Sequence, residues 1–467
     1  MANVVFSLAA LFISLALLIS GSAMLGTLVS LRLELDGVAD SSIGLILACY
    51  SIGFVMGASW GGAVIRSVGH IRAFSTYAAL ACAVTLLHPL LVSELTWGLM
   101  RLVMGFCLAG LMTVTESWIN DRATNESRGK LLGLYTINFY LASAIGQLLV
   151  GISDPARTVA FSVVAILIVL SLVPLSLTRG LVPMTPTQTS ALGMMRLFRN
   201  SPAGTTGVVV AGVAIGAFIS LAPLYALRGG LDTAMLSRFM AFSVICAVLL
   251  QWPAGWLSDR LGRLPVLVGL LAAGAAAALA MALFGGLSVT LMFLLSGIFF
   301  AVATSVYPIS VALTNDQLPN DQLVAACAGL LRAYGLGTIA GPLLGAMLMG
   351  VLGSWALFGF IGLSMLAGAW AVQYRFRKAD LVPLEAQGDY APVVPVSSPV
   401  IVELDPRNED FEAHHGGEPA DWDVADHIEM LMTEGDSSHL PDDRADLQEE
   451  ADALAGKDLH GGARESK

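Results

Sequence analysis

Along the chain, apolar residues come in blocks rather than stripes. Runs of about 20 residues or more cover 5–30, 41–65, 73–92, 97–118, 131–152, 158–178, 204–226, 236–257, 265–285, 288–313, 323–350 and 355–374, separated by short polar breaks. A bilayer core about 30 Å thick is crossed by roughly 20 apolar residues of helix. Lipid offers no hydrogen-bond partner, so backbone groups inside it must bond within the segment. The pattern therefore predicts twelve membrane-spanning helices. The first run is too long for a signal-peptide core and lacks a basic segment before it, so it is expected to stay as a helix.

The placement of Lys and Arg predicts orientation. With the N-terminus inside, the cytoplasmic segments hold Arg66, Arg72, Arg122, Arg128, Lys130, Arg179, Arg196, Arg199, Arg260, Arg263, Arg375, Arg377 and Lys378, and the outer loops hold Arg32, Arg157, Arg228 and Arg238. Thirteen against four is a clear positive-inside bias. A multi-pass protein of a bacterial inner membrane with both termini cytoplasmic is expected.

Composition agrees, with 56% hydrophobic residues, 13% charged and a mean hydropathy of +0.75. Such a chain is not a water-soluble enzyme, and no basic stripe on a polar fold points to nucleic acid. Charge is divided unevenly: residues 1–378 hold 19 basic and 12 acidic side chains, residues 379–467 hold 5 and 23. That last stretch begins dotted with proline and has too little apolar surface to fold alone, so it is expected to be a mostly disordered acidic tail. Within it Trp422, Ala425, Ile428 and Met432 recur at helical spacing, a candidate docking helix for a protein partner. The five cysteines lie inside apolar runs without metal-type spacing and read as small buried hydrophobes.

The longest polar interruption of the membrane body, Thr185 to Pro202, divides it. The expected domains are a six-helix bundle over 1–178, a cytoplasmic linker over 179–203, a second bundle over 204–378 and the tail over 379–467. The halves overlay at a shift of 193–196 residues: Leu31-Arg32 on Leu227-Arg228, Gly62 and Gly69 on Gly255 and Gly262, Asn120-Asp121 on Asn315-Asp316, Gly146 on Gly341. Two like-oriented halves form a parallel repeat about an axis along the membrane normal, with a cavity between them. A transporter is the natural reading.

Several stretches carry a resemblance. Gly255-x-x-x-Asp259-Arg260-x-Gly262-Arg263 resembles the cytoplasmic loop motif of the major facilitator superfamily. The equivalent first-half stretch, Gly62 to His70, departs from it: Arg66 stands at the aspartate position and Ser67 at the arginine position. Arg101 with Gly105 and Gly110 resembles the family's arginine motif of span four. Glu116-Ser117-Trp118-Ile119-Asn120 is similar to a signature of a bacterial branch with no settled substrate. Gly337-x-x-x-Gly341-Pro342-x-x-Gly345 resembles the Gly-Pro element of exporters, although that element normally marks span five. The resemblance implies an all-α membrane fold of two pseudo-symmetric six-helix bundles. It also implies a latch role for Asp259, Arg260, Arg263, Arg66, Gly255 and Gly262, and spans two and eleven facing each other across the halves.

Ionisable residues inside spans are costly and usually face a cavity or a partner. Arg101, Glu116 and Arg332 qualify. Arg101 is a candidate for an anionic substrate or coupling group. Glu116 and Arg332 reach comparable depth in opposite halves, so a contact closing the cytoplasmic side of an outward-facing state is expected; a pair within one half, Glu116 with Arg66 or Arg128, is the alternative. Asn138, Gln147, Gln251 and Tyr307 are further candidates for the substrate pathway. The stripes Gly53, Gly57, Gly61 and Gly337, Gly341, Gly345 permit close helix approach and suit a rocking interface between halves, or else packing within one half.

No phosphate-binding loop, metal cluster or cofactor motif is present in the sequence. The reading is a secondary transporter of a small solute working by rocker-switch alternating access in the lipid bilayer. Proton coupling, and export by antiport, are the favoured finer reading. The alternative is a transport-incompetent sensor or scaffold signalling through its tail. A topology reporter fused after Lys378 should register as cytoplasmic and one placed at Arg157 as external; the reverse result would overturn the orientation.

Overall fold

The computed structural model describes residues 2–121, 123, 127–176, 191–319 and 322–376, with the side chains of 2–7, 375 and 376 excepted, and tail residues 383, 387, 388, 390, 392–395, 397, 398 and 401. Among these residues twelve helices are long and apolar enough to cross a membrane. The first half contributes α1 (Ala2–Leu35), α2 (Asp40–Val68), α3 (His70–Leu87), α4 (Glu94–Asp121), α5 (Arg128–Val150) and α6 (Thr158–Leu170, continued past a break by Leu172–Ser176). The second contributes α7 (Pro202–Arg228), α8 (Thr233–Leu261), α9 (Arg263–Phe284), α10 (Val289–Asn315), α11 (Leu323–Leu352) and α12 (Ala356–Phe376). All twelve predicted spans are present, and no strand occurs among the described residues. An even number of crossings leaves the N-terminal end of α1 and the C-terminal end of α12 on one face, the tail face; the other is the far face.

The internal repeat is visible in the packing. In the first half α1 packs on α5 and α6, α2 on α4, and α3 on α4 and α6. In the second, α7 packs on α11 and α12, α8 on α10, and α9 on α10 and α12. Every first-half pair recurs six helices later. The halves meet through α2 with α11 and α5 with α8, pairs that exchange under the same two-fold relation, and through α1 with α7. Local backbone repeats too. Gly69 (φ +82°) and Gly262 (φ +89°) end α2 and α8 in a left-handed conformation open to glycine at little cost, which lets α3 and α9 start at the next residue.

The linker's described part holds a short helix, Met194–Asn200, and the Leu192 N–H donates to the Ala325 carbonyl (2.9 Å), tying it to α11. The candidate helix around Trp422–Met432 lies outside the described residues.

The glycine stripes do not form the rocking interface. A Cβ at Gly53 would enter the Leu102 carbonyl, and one at Gly57 would lie 2.9 Å from the Ala109 Cβ, both on α4; Gly61 has the Gly110 Cα at 3.5 Å. Gly337 and Gly341 press on α7, with the Val213 and Ala217 amide nitrogens each 2.8 Å from a Cβ built there, and Gly345 has Leu221 Cδ1 at 2.9 Å. Each stripe is spent inside its own half, where two helices touch along several turns and need a small residue at every turn. Helices α2 and α11 do face each other, through other residues: Gly44 against Pro342 and Ala346 (2.7 Å), and the Ser51 hydroxyl donating to the Thr338 carbonyl (3.2 Å).

Gly53→Ala should therefore destabilise the protein by about 1–3 kcal/mol through overpacking. Gly269→Ala, whose Cβ meets nothing within 4 Å, should be neutral or stabilising. Thermal unfolding in detergent measures both, and equal midpoints would contradict the packing described.

Candidate transport site

Between the halves lies a cavity of about 190 Å³. This is smaller than the ~300–1,000 Å³ of typical small-molecule sites, so the chamber is narrow in this state. Its wall is mostly apolar, with Tyr50, Arg101, Tyr140, Gln147, Thr304 and Tyr334 as its main polar groups.

The far face is sealed by charge. Arg228, at the end of α7, donates from Nε to Glu34 Oε1 (2.7 Å), from Nη2 to Glu34 Oε2 (2.6 Å) and from Nη1 to Asp40 Oδ2 (3.0 Å). One guanidinium of the second half thus clamps carboxylates on α1 and α2 of the first, and its planar fork fits that task. The Ser30 hydroxyl adds a bond to the Ser220 carbonyl (2.8 Å). The repeat-related Arg32 stays in its own half, paired with Asp36 (2.9 Å).

Arg101 sits in the cavity wall as expected. It is 6% exposed, its guanidinium carbon lies 4.4 Å over the Tyr50 ring, and its Nε has no hydrogen-bond partner. No carboxylate pairs with it among the described residues. A cation held only by a ring face is incompletely compensated, and it favours an anion entering the chamber.

Helical facing separates the other polar candidates. Gln147 lines the cavity; its Oε1 accepts from the Thr27 hydroxyl (2.7 Å) and its Nε2 donates to the Ala23 carbonyl (3.3 Å). Asn138, on another face of α5, donates to the Phe12 carbonyl (3.2 Å) and joins α5 to α1 instead of facing the cavity. Gln251 bridges the halves by donating to the Tyr140 hydroxyl (3.3 Å) and accepts from the Tyr390 hydroxyl of the tail (3.1 Å). Tyr307 packs edge-on against Tyr334 with centroids 5.1 Å apart, a layer behind the cavity wall.

Glu116 is fully buried toward the tail end of α4, and Arg332 is not its partner here. Its carboxylate accepts the Tyr135 hydroxyl and the Ser398 N–H (2.7 Å). Neither Arg66 nor Arg128 bonds to it. Arg332 is exposed on α11 and shares a face with Leu336, Leu344, Met347 and Val351. That face is a lipid-type stripe, from which a long cationic side chain reaches the headgroup level. The expected contact belonged to a state closed on the tail face, and this structure is closed on the opposite one.

The loop motif is assembled. Arg263, fully buried, donates to Asp259 (2.6 Å), the Ser258 hydroxyl (3.0 Å) and Asp316 (3.2 Å), so it joins α8, α9 and α10. Arg260 instead stacks over Trp256 (4.1 Å). Gly255 serves packing: the Tyr390 ring of the tail occupies the space of its missing side chain. The first-half counterpart is built differently: Arg66 stands at the Asp259 position and His70 at the Arg263 position, and His70 Nε2 pairs with the Ser117 hydroxyl (3.0 Å).

His88, one residue past the end of α3, is buried. It stacks on Phe161 and meets Trp97 edge-on, as a packing residue between the helix ends. Cys107 and Cys327 are buried as expected, whereas Cys49, Cys82 and Cys246 are partly exposed. The sequence reading missed the Arg228 clamp, Tyr50 and the docked part of the tail. The clamp had a signal: Glu34 and Asp40 flank the first loop, opposite the repeat image of Arg32.

The sequence profile of the Major Facilitator Superfamily matches residues 11–304 and 239–402. A Salmonella heidelberg protein called "Uncharacterized MFS-type transporter YcaD" is 30% identical over 348 residues, 73% of this chain and 88% of that relative. Among solved structures, a mutant of the nucleoside transporter NupG aligns with a TM-score of 0.68 at 14% identity, covering 79% of this chain and 100% of that one. A bacterial homologue of the lysosomal transporter Spinster, inward-facing and unoccupied, aligns with a TM-score of 0.62 at 15% identity, covering 86% and 98%. Profile, relatives, twelve spans and repeated packing agree: the chain belongs to the major facilitator superfamily and is a multi-pass membrane transporter, not an enzyme.

Proposed function

We propose that the protein is a secondary active transporter whose central cavity carries a small organic anion with an apolar frame, in a bacterial inner membrane with the tail face cytoplasmic. The observation that carries this is Arg101: a buried cation in the wall of a chiefly apolar chamber, with an aromatic ring instead of a carboxylate for company. A solute with one acidic group would supply the missing counter-charge, while its apolar part fills the rest.

The cycle is alternating access, with the two halves as rocking bodies. The far face is shut by Arg228, Glu34 and Asp40, so this state opens toward the tail face. Reversal requires that clamp to part. Proton coupling falls to Glu116, a buried carboxylate whose two hydrogen bonds are made to groups that can leave it. Release of a proton from Glu116 on the tail-face side before the solute anion moves outward, and uptake of another from the far side for the return, makes the exchange an antiport, the direction favoured by the Gly-Pro element of α11.

Proteoliposomes with an imposed pH gradient and a panel of organic anions, cations and neutral solutes test the reading. Arg101→Gln should abolish anion flux and Arg101→Lys should retain part of it. A wild-type protein that moves only cations, or flux unaffected by Arg101→Gln, would overturn the assignment. Glu116→Gln should lose the response to the pH gradient while keeping solute exchange across it, and a retained gradient response would remove Glu116 from the coupling role. Arg228→Gln should raise labelling, from the far face, of a cysteine placed at Ser22 in the cavity wall; unchanged labelling would show that the clamp does not hold the seal.

A further inference from the structure

Within the tail expected to be mostly disordered over 379–467, residues described between 387 and 401 pack on the membrane body, which composition alone did not announce. They pass between the two halves at the tail face. On the second half, the Gln387 side-chain oxygen accepts the Arg263 N–H (3.4 Å), the Gly388 N–H donates to Asp316 (3.3 Å), and the Gly388 carbonyl accepts from the Arg263 guanidinium. Tyr390 then donates to Gln251 (3.1 Å) with its ring over Gly255. The chain crosses to the first half, where the Pro392 carbonyl accepts the Thr136 hydroxyl (3.1 Å) and the Ser398 N–H caps Glu116 (2.7 Å). Between these anchors Val393 and Val394 are buried and Pro395 reaches the wall of the central cavity; beyond them Ile401 is buried.

The sequence suits this place. In a tail with 23 acidic residues, the twelve from Tyr390 to Ile401 carry no charge, while Asp389 and Glu403 mark the two borders. Three of the twelve are proline, which brings no N–H that would need a partner in a dry groove. Proline fixes its own φ, so a proline-dotted chain loses less freedom on docking, and two turns hold the second part, the Ser397 N–H donating to the Val394 carbonyl (3.1 Å) and the Ile401 N–H to the Ser398 carbonyl (3.3 Å). Polar groups face it on both walls where its backbone and Tyr390 need them, and Gly255, part of the loop motif, leaves room for the Tyr390 ring.

We propose that the opening between the halves at the tail face is a binding site for an uncharged, proline-containing peptide with turns in its second part, and that its occupant is this chain's own segment 387–401. Docked there, the segment keeps the halves apart on that side, covers the cavity with Pro395 and engages Glu116. The molecule is held in one state of its cycle until the segment leaves. Being tethered, the segment acts at an effective concentration of order mM, so weak individual contacts suffice. The docking is independent of the transport reading; only its effect on the cycle rests on alternating access.

Two readouts that need no substrate test it. A photoreactive benzoylphenylalanine at Tyr390 of the full chain, in membranes, should cross-link to α8 near Gly255, and the yield should fall to background when Val394→Asp is added. Cross-linking elsewhere, or a yield indifferent to Val394→Asp, would overturn the docking. Spin labels at Lys130 on α5 and Leu261 on α8, in a cysteine-replaced background, report the width of the opening. The full chain should give the long distance alone; the tail double variant Tyr390→Asp, Val394→Asp and a chain ending at residue 378 should both add a shorter one. Ser398→Pro, which removes the N–H offered to Glu116 and the serine hydroxyl and fixes φ there, should shift the distribution part of the way. A synthetic peptide of residues 387–401 added to the shortened chain should restore the long distance. Identical distributions in full and shortened chains, each folded by thermal unfolding, would show that the segment does not hold the halves apart.

Discussion

A bilayer cannot hydrogen-bond to a chain that crosses it, and this constraint organises the molecule. It makes helix the form of every span, because a helix satisfies its backbone internally. It then restricts each polar or charged side chain to a few outcomes. Glu116 is buried and satisfied by a hydroxyl and an N–H. Arg332 sits on an exposed stripe from which it reaches the headgroups. Arg101 belongs to neither group: buried, lined up with the cavity, and compensated only by a ring face. An exception of this kind marks function more sharply than a polar lining does, because its cost is borne continuously.

The same constraint governs how the halves fit. Without a strong hydrophobic drive between apolar helices in lipid, close backbone approach provides much of their cohesion. The glycine stripes of α2 and α11 are used for this inside each half, welding α2 to α4 and α7 to α11. Contact between halves is sparser and more polar: the Arg228 clamp, Ser30 to Ser220, Ser51 to Thr338, Gln251 to Tyr140. Stiff halves joined by an interface of exchangeable polar bonds are what a rocking motion requires. The sequence motif that looked like the hinge is instead what keeps the moving parts rigid.

The spans, their number, the repeat and the family motif were legible in the sequence because each depends on blocks of residues or on fixed offsets. Arg101 was legible because a charge inside an apolar run has few places to go. Facing was not. Arg332 and Asn138 lie in spans whose surroundings are apolar on nearly every side, so periodicity does not distinguish a lipid face from a neighbouring helix or a cavity. Glu116 was recognised as important, but its partners in this state, Tyr135 and Ser398, were not, since they are 19 and 282 residues away along the chain. The glycine stripes announced close packing without naming the neighbour.

The docked tail escaped notice for a reason of averaging. Taken whole, residues 379–467 are acidic, and that composition argues for solvation. The uncharged stretch from Tyr390 to Ile401 is diluted in the sum, yet it alone meets the terms set by the opening between the halves. A segment entering a dry groove must leave its charges outside, bring few unpaired donors and present small apolar bulk, and the borders at Asp389 and Glu403 fall where those terms stop being met. Arg263 shows how the membrane body meets it. This arginine is paired with Asp259 and Asp316 and bonded to Ser258, and its Nη2 donates to the backbone at Gly388. The loop motif thus has two uses in one place: it ties α8, α9 and α10 together, and it offers the tail a seat. A change in how the halves meet must disturb both, which couples occupancy of that seat to the position of the halves.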